Sequence, residues 1–100
     1  MLHTVNKSPF ERTSLESCLR LAKKGSPILL LEDGIYAAMK GTAATAKMET
    51  AAKDHPVFVL GPDLAARGIS EDRLIDGIKV VDYGGFVDLT VEHGTVQSWL

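Results

Sequence analysis

The feature that most constrains the fold is an unbroken run of four aliphatic residues at 28–31, which an acidic turn follows at once. Residues 27–38 read PILLLEDGIYAA, so no polar residue alternates with the aliphatic ones. Such a strand is typical of a parallel sheet that helices cover on both faces. Sites in open α/β sheets gather beyond the carboxyl ends of the strands, so Glu32, Asp33 and Gly34 should lie at that rim.

The length and the charge of the chain narrow its class. One hundred residues with 45% hydrophobic content predict one domain over residues 1–100, with so little core that a partner subunit is expected. The net charge of -2 comes from interspersed charges, which offer no basic stripe for direct nucleic-acid binding. The sequence contains neither a signal peptide nor a segment that could cross a bilayer, so we expect a cytoplasmic protein without membrane contact.

The chain has a single cysteine, Cys18, which excludes an intrachain disulfide. No CxxC or Cys/His spacing is present, and neither GxGxxG nor GxxxxGK[ST] follows any predicted strand. We therefore expect no metal and no cofactor, and the pattern disfavours a free-standing nucleotide-binding domain.

Alternating strands and helices predict a small three-layer α/β sandwich with a mostly parallel sheet flanked by helices. Four strands are predicted, at residues 2–5, 28–31, 57–60 and 78–81. A capping box, SPFE at 8–11 or TSLE at 13–16, should begin a first helix that Gly25 stops. Further helical segments are predicted from residue 35 to a break near Gly41, then at 45–53, 63–67, after a Ser70 cap, and at 86–93. The tail at 95–100 is assigned to no element.

Several separated segments occur in a characteristic order: MLHTVNKSPFE at the start, LLLEDGIYAA, LGPDLAARGIS, VVDYGGFVDLT and a terminal QSWL. Together they resemble the DsrH/TusB family of sulfur-relay proteins over essentially the whole chain. The resemblance implies a DsrE-like fold and a heterohexamer with two copies each of this chain and of DsrE/TusD-like and DsrF/TusC-like siblings. It also implies exchange with sulfur-carrier proteins, in which sulfane sulfur passes as a cysteine persulfide. The sulfur would go to 2-thiouridine at the tRNA wobble position or into dissimilatory sulfur oxidation.

Cys18 is the candidate catalytic residue. Its place on the first helix resembles that of the thiol in the DsrH branch, whereas some TusB sequences lack a cysteine, so the chain leans toward DsrH. The family implies that the principal carrier is a cysteine of DsrE/TusD. This chain is therefore expected to be a sulfurtransferase-type accessory carrier without clear turnover of its own, or a noncatalytic subunit that completes the oligomer around the sibling's cysteine.

The residues around Cys18 leave both readings open. Relay needs a thiolate that attacks the terminal sulfur of a donor persulfide. Leu15, Cys18 and Leu19 share one apolar helix stripe, where a free cysteine is usually an inert hydrophobe. Arg12 and Arg20 are not at the i+3 or i+4 spacing that would ensure contact with the thiol.

The remaining polar residues are expected to have structural roles. Glu32 and Asp33 should form an acidic turn that caps the next helix rather than a catalytic pair, and Asp63 should cap the turn after the third strand. The segment at 83–86 should pack internally or meet a sibling. The widely separated histidines should be structural or solvated, and His3 could contact a neighbour within the sheet. These histidines are His3, His55 and His93.

Overall fold

The computed structural model describes all of residues 1–100, and a sheet of five parallel strands forms its centre. The strands are β1 (Leu2–Val5), β2 (Ile28–Leu30), β3 (Val57–Leu60), β4 (Lys79–Val81) and β5 (Val96–Trp99). They lie in the order β4-β3-β2-β1-β5, and every neighbouring pair is parallel. The predicted fold class is thus confirmed.

Helices cover both faces of this sheet. The α-helices are α1 (Ser14–Leu21), α2 (Thr45–Asp54), α3 (Gly61–Ala66) and α4 (Tyr83–His93), and the 3-10 helices are Glu32–Ala38 and Glu71–Arg73. The larger apolar cluster joins α1, α2, α3 and the first 3-10 helix to one sheet face. On the other face, Leu89 of α4 packs against Leu2 and Leu29. The predicted three layers are therefore present, but α4 alone forms one of them.

The strand β5 is the element that the sequence did not predict. It pairs with β1 so that Val96 lies opposite Leu2 and Trp99 lies opposite Val5. Three of its four residues are exposed, as on an edge strand. Because such a strand lacks an aliphatic run, its local pattern resembles that of a loop.

The first helix begins without either predicted capping box. Residues 8–11 form a turn in which the Ser8 hydroxyl accepts a hydrogen bond from the Phe10 N–H at 3.2 Å. The helix starts at Ser14, and the side chain of Thr13 makes no capping bond. It ends at Leu21 because Ala22 is extended, three residues before the left-handed Gly25 at φ 92°.

The segment after β2 turns more tightly than predicted. The 3-10 helix begins at Glu32 rather than at residue 35 and brings the backbone of Gly34 against β1. A Cβ at Gly34 would lie 2.1 Å from the carbonyl oxygen of Val5, so only glycine fits. The next predicted helix is confirmed, since α2 covers residues 45–53 and ends one residue later.

Two later helices start earlier than predicted. Helix α3 begins at Gly61 because Pro62 suits a first helical turn. Helix α4 begins at Tyr83, since the Asp82 side chain accepts a hydrogen bond from the Gly85 N–H at 2.7 Å. Ser70 occupies the N-cap position of the 3-10 helix Glu71–Arg73 as predicted, but its hydroxyl donates to the Asp72 carboxylate and makes no capping bond to the backbone.

No helix combines the length and the apolar character that crossing a bilayer requires.

Candidate functional site

Cys18 lies inside the larger apolar cluster, on the face of α1 that packs against the sheet. Its exposed fraction is 0%, and it shares the cluster with Leu15, Ile28 and Met48. Burial raises the pKa of the Cys18 thiol to about 11. At neutral pH only about one thiol in ten thousand would then be a thiolate, the form that attacks sulfur. In this conformation Cys18 has the properties of a core residue.

The acidic residues at the carboxyl edge of the sheet connect neighbouring segments to one another. The Asp63 carboxylate accepts a hydrogen bond from the Glu32 N–H at 2.6 Å, which ties the end of β2 to α3. Glu32 itself has a left-handed φ of 49°. The Asn6 amide donates to the Glu32 carboxylate at 3.4 Å. These hydrogen bonds therefore connect the ends of β1 and β2 to each other and to α3.

Asp33 forms the charged part of the same edge. Its Oδ1 accepts hydrogen bonds from Nε of Arg67 at 3.1 Å and from Nη2 at 2.9 Å. This hydrogen bond is the main cause that raises the pKa of Arg67. The predicted caps are wrong, because neither Glu32 nor Asp33 caps the 3-10 helix, and Asp63 bonds across to Glu32. The Glu32 carboxylate bonds to Asn6 and the Asp33 carboxylate bonds to Arg67. Glu32 and Asp33 therefore do not form a catalytic pair that shares a proton.

The buried His3 and the half-buried Trp99 form a hydrogen-bonded pair on the α1 side of the sheet. The Trp99 indole N–H donates to Nδ1 of His3 at 3.1 Å, so the neutral ring carries its proton on Nε2. Burial is the main cause that lowers the pKa of His3, and the N-terminal amine and His55 lower it further. The expected contact of His3 within the sheet is confirmed.

The other two histidines are also accounted for. Nδ1 of His55 donates to the Ser26 carbonyl at 2.9 Å, and His93 ends α4. No group of three or more His, Cys, Asp or Glu side chains is placed to hold a metal ion.

The main surface cleft lies between α1 and α2 and has a volume of about 330 Å³. It is lined by Leu19, Lys47, Thr50, Ala51, Asp54 and His55. Cys18 does not line it. At its border Lys47 pairs with Glu16, and this hydrogen bond lowers the pKa of Glu16. The cleft therefore gives the thiol no route to solvent.

Helix α4 has a second apolar face that was not predicted from the sequence. Tyr83, Val87 and Val91 are exposed on its outer side, whereas Phe86 and Leu89 face the sheet. A signal for this face was present in the sequence, since apolar residues recur every four positions in YGGFVDLTV. It was overlooked because the helix was predicted to start only at residue 86.

The fold places the chain in a class of small α/β proteins with a parallel sheet between helices. It is similar to the crystal structure of the ychN protein from Escherichia coli, with a TM-score of 0.80, 23% identity and 97% of each chain covered. It is also similar to a protein of unknown function from Methanobacterium thermoautotrophicum, with a TM-score of 0.74, 17% identity, and 97% of this chain and 95% of that one covered.

The sequence defines the family within this class. The family model described as DsrH like protein matches residues 7–96. Protein TusB from Pectobacterium parmentieri is 36% identical over 99 residues, which is 99% of this chain and 100% of the relative. Protein TusB from Escherichia coli strain UTI89 is 38% identical with the same coverage. The chain belongs to the DsrH family.

Proposed function

We propose that this chain is a cytoplasmic, noncatalytic subunit of a sulfur-relay complex, one that completes a hetero-oligomer around a sibling's active cysteine. Membership of the DsrH family supports the relay assignment. The observation that favours a noncatalytic role is the burial of Cys18, the chain's single thiol.

The complex would contain DsrE/TusD-like and DsrF/TusC-like siblings in a heterohexamer with two copies of each subunit, and would exchange sulfur with carrier proteins. In each transfer, a thiolate attacks the terminal sulfur of a donor persulfide, forms the new S–S bond and expels the donor thiolate. The relatives of this chain carry the name TusB, which favours tRNA 2-thiolation over sulfur oxidation as the destination.

The carrier role of Cys18 stays a prediction, and it would require a rearrangement that exposes this buried thiol. Transfer through Cys18 needs both an accessible Sγ and a thiolate, and the folded chain disfavours each of them. Buried in the cluster with Leu15, the thiol contributes packing instead.

The deciding experiment loads the co-purified complex of the three subunits with a persulfide donor and maps the added sulfur by mass spectrometry. We expect the sibling's cysteine to gain a sulfur atom while Cys18 remains a thiol. Iodoacetamide should likewise alkylate Cys18 in urea but not in the native complex. A persulfide on Cys18 of the native complex would establish the carrier role and overturn the noncatalytic one.

A genetic test separates the two destinations and checks Cys18 in the cell. In the source organism, deletion of this gene should abolish tRNA 2-thiouridine, and both the wild-type gene and Cys18→Ala should restore it. If deletion leaves 2-thiouridine intact but blocks the oxidation of sulfur compounds, the destination is sulfur oxidation. If Cys18→Ala fails to restore thiolation although the complex still assembles, Cys18 is a carrier.

A further inference from the structure

The outer face of α4 is an exposed apolar stripe on a helix whose inner face is already buried. Tyr83, Val87 and Val91 follow one another at intervals of four residues and are 60%, 58% and 77% exposed. Leu89, about 160° around the helix from Val87, packs against the sheet, and so does Phe86 at the border of the stripe. A helix that is apolar around so much of its circumference is typical of one covered by more than the sheet alone.

The stripe differs from the other exposed apolar side chains of the molecule. None of these others shares a helix face with a second one, and single exposed apolar side chains are a normal feature of protein surfaces; they are Met1, Phe10, Leu21, Val96 and Leu100. Three large apolar residues in line on one helix form a contiguous patch. Because α4 is the outermost layer on its side of the sheet, no other element of this chain covers the patch.

The charges beside the stripe indicate what kind of partner fits. Asp88 and Glu92 are four residues apart, about 100° around the helix from Val87 and Val91, and so form an acidic flank on one side of the stripe. Both are exposed, and the ion pairs of the chain lie elsewhere. Helix α4 contains no lysine or arginine.

This acidic flank argues against a second copy of the chain as the occupant. The stripe could meet its own copy about a two-fold axis at Val87, with Tyr83 packing on Val91 of the copy. The same axis would place Asp88 and Glu92 of both copies along one side of the paired helices. Like charges brought together in this way oppose association.

We propose that this stripe (Tyr83, Val87 and Val91), with its flank of Asp88 and Glu92, is the docking surface for a sibling subunit. The sibling's contact would carry apolar side chains beside lysine or arginine. The proposal rests on the proposed function for the sibling's identity, and on the exposure and charge of α4 for the surface.

Binding of purified variants to the immobilised complex of the two siblings tests the apolar contact. We expect Val87→Lys and Val91→Lys each to weaken binding by roughly tenfold or more, since a buried interface position would receive a cation. The control is Leu21→Lys, a similar change at a 63% exposed position on α1, the helix of the opposite sheet face, and it should bind like the wild type. Circular dichroism should show that all three variants fold.

Neutralising the acidic flank gives a second test, because it should weaken binding to the siblings but strengthen binding to a second copy of the chain. Asp88→Asn with Glu92→Gln should weaken binding to the siblings and flatten its dependence on salt. The charge-matched control is Glu11→Gln with Glu49→Gln, both exposed and away from α4. If the stripe instead met a second copy, neutralising the flank would increase self-association in sedimentation and leave sibling binding unchanged, which would overturn the proposal.

The outcomes separate the two proposals. A wild-type chain that binds neither sibling overturns the proposed function together with this assignment of the partner. If the wild-type chain binds the siblings and the stripe variants bind as tightly as Leu21→Lys, the relay proposal stands and the docking surface lies elsewhere.

Discussion

The indole N–H of Trp99 in β5 donates a hydrogen bond to Nδ1 of His3 in β1, at 3.1 Å and across 96 residues of sequence. The two rings lie with their centroids 6.1 Å apart, and His3 is 5% exposed. This bond links the side chains of an edge strand to the buried strand beside it. It also requires a neutral His3, because a protonated imidazole has no acceptor nitrogen.

Trp99→Phe should lower the free energy of unfolding by about 1–3 kcal/mol, because it leaves a buried acceptor unpaired. Urea unfolding of the chain measures this change. A double-mutant cycle with His3→Leu should give a coupling energy of about 1 kcal/mol. Additive effects of the two substitutions would show that the bond contributes nothing.

The stability of the chain should fall as the pH drops below about 6.5. The pKa of His3 is lowered in the folded state, so the unfolded chain binds more protons between this lowered pKa and 6.5. The stability gained by keeping His3 neutral is present above 6.5 and is lost on acidification. Comparing urea midpoints at pH 7.5 and 5.5 tests this. His3→Asn, which retains an acceptor but does not titrate, should reduce the loss.

Cys18→Ser should destabilise the chain by about 1–3 kcal/mol, because it puts a hydroxyl without a partner into the apolar cluster. Cys18→Ala should cost less, since it removes volume without adding a polar group. Both variants should still assemble with the siblings. Equal stability of the serine variant and the wild type in urea would contradict the burial of this thiol.

Gly34→Ala and Gly84→Ala should act in opposite directions. A Cβ at Gly34 would lie 2.1 Å from the Val5 carbonyl oxygen, so the backbone must move, and we expect a loss of about 3 kcal/mol or more. Gly84 lies in the first turn of α4, where its nearest contact would be an ordinary 3.4 Å, and alanine should add up to about 1 kcal/mol. Thermal unfolding distinguishes the two, and equal effects would argue against the close approach at Gly34.

Asp63→Ala should cost more than Asp33→Ala. The Asp63 carboxylate holds the N–H of the left-handed Glu32, and a charge-assisted bond of this kind contributes about 1.5–3 kcal/mol. Asp33 pairs with Arg67 at the surface, where a salt bridge contributes less than about 1 kcal/mol. Chemical denaturation of both variants measures the difference. A larger loss for Asp33→Ala would mean that the ion pair with Arg67 stabilises the carboxyl edge of the sheet more than the Asp63 hydrogen bond does.

The sequence predicted the parts of the molecule that follow a local periodic pattern. Strands β1 and β3 match their predicted bounds because all but one of their residues are buried in the sheet. The apolar stripe on α1 likewise indicated a buried Cys18, which was one of the two alternatives left open, and the thiol is buried. The edge strand β5 has no such pattern, since its pairing with β1 is set by residues at the other end of the chain.

The predicted capping roles of the acidic residues were wrong for a related reason. Asp63 and Asp33 have partners 31 and 34 residues away, so a local capping pattern could not identify their bonds. The bond between His3 and Trp99 spans almost the whole sequence. The outer stripe of α4 could have been predicted from the sequence if Asp82 had been recognised as the cap that starts the helix at Tyr83.

The pairing of β5 with β1 has a consequence for synthesis on the ribosome. Because translation proceeds from the N-terminus, Leu2–Val5 is made early and can pair with β2, but its other edge stays open until Val96–Trp99 emerges. A nascent chain therefore exposes the backbone groups on this edge of β1 while the residues between β1 and β5 are being made. The five-stranded sheet is complete only when β5 has paired with β1, which makes the pairing of this edge strand the last step in building the sheet.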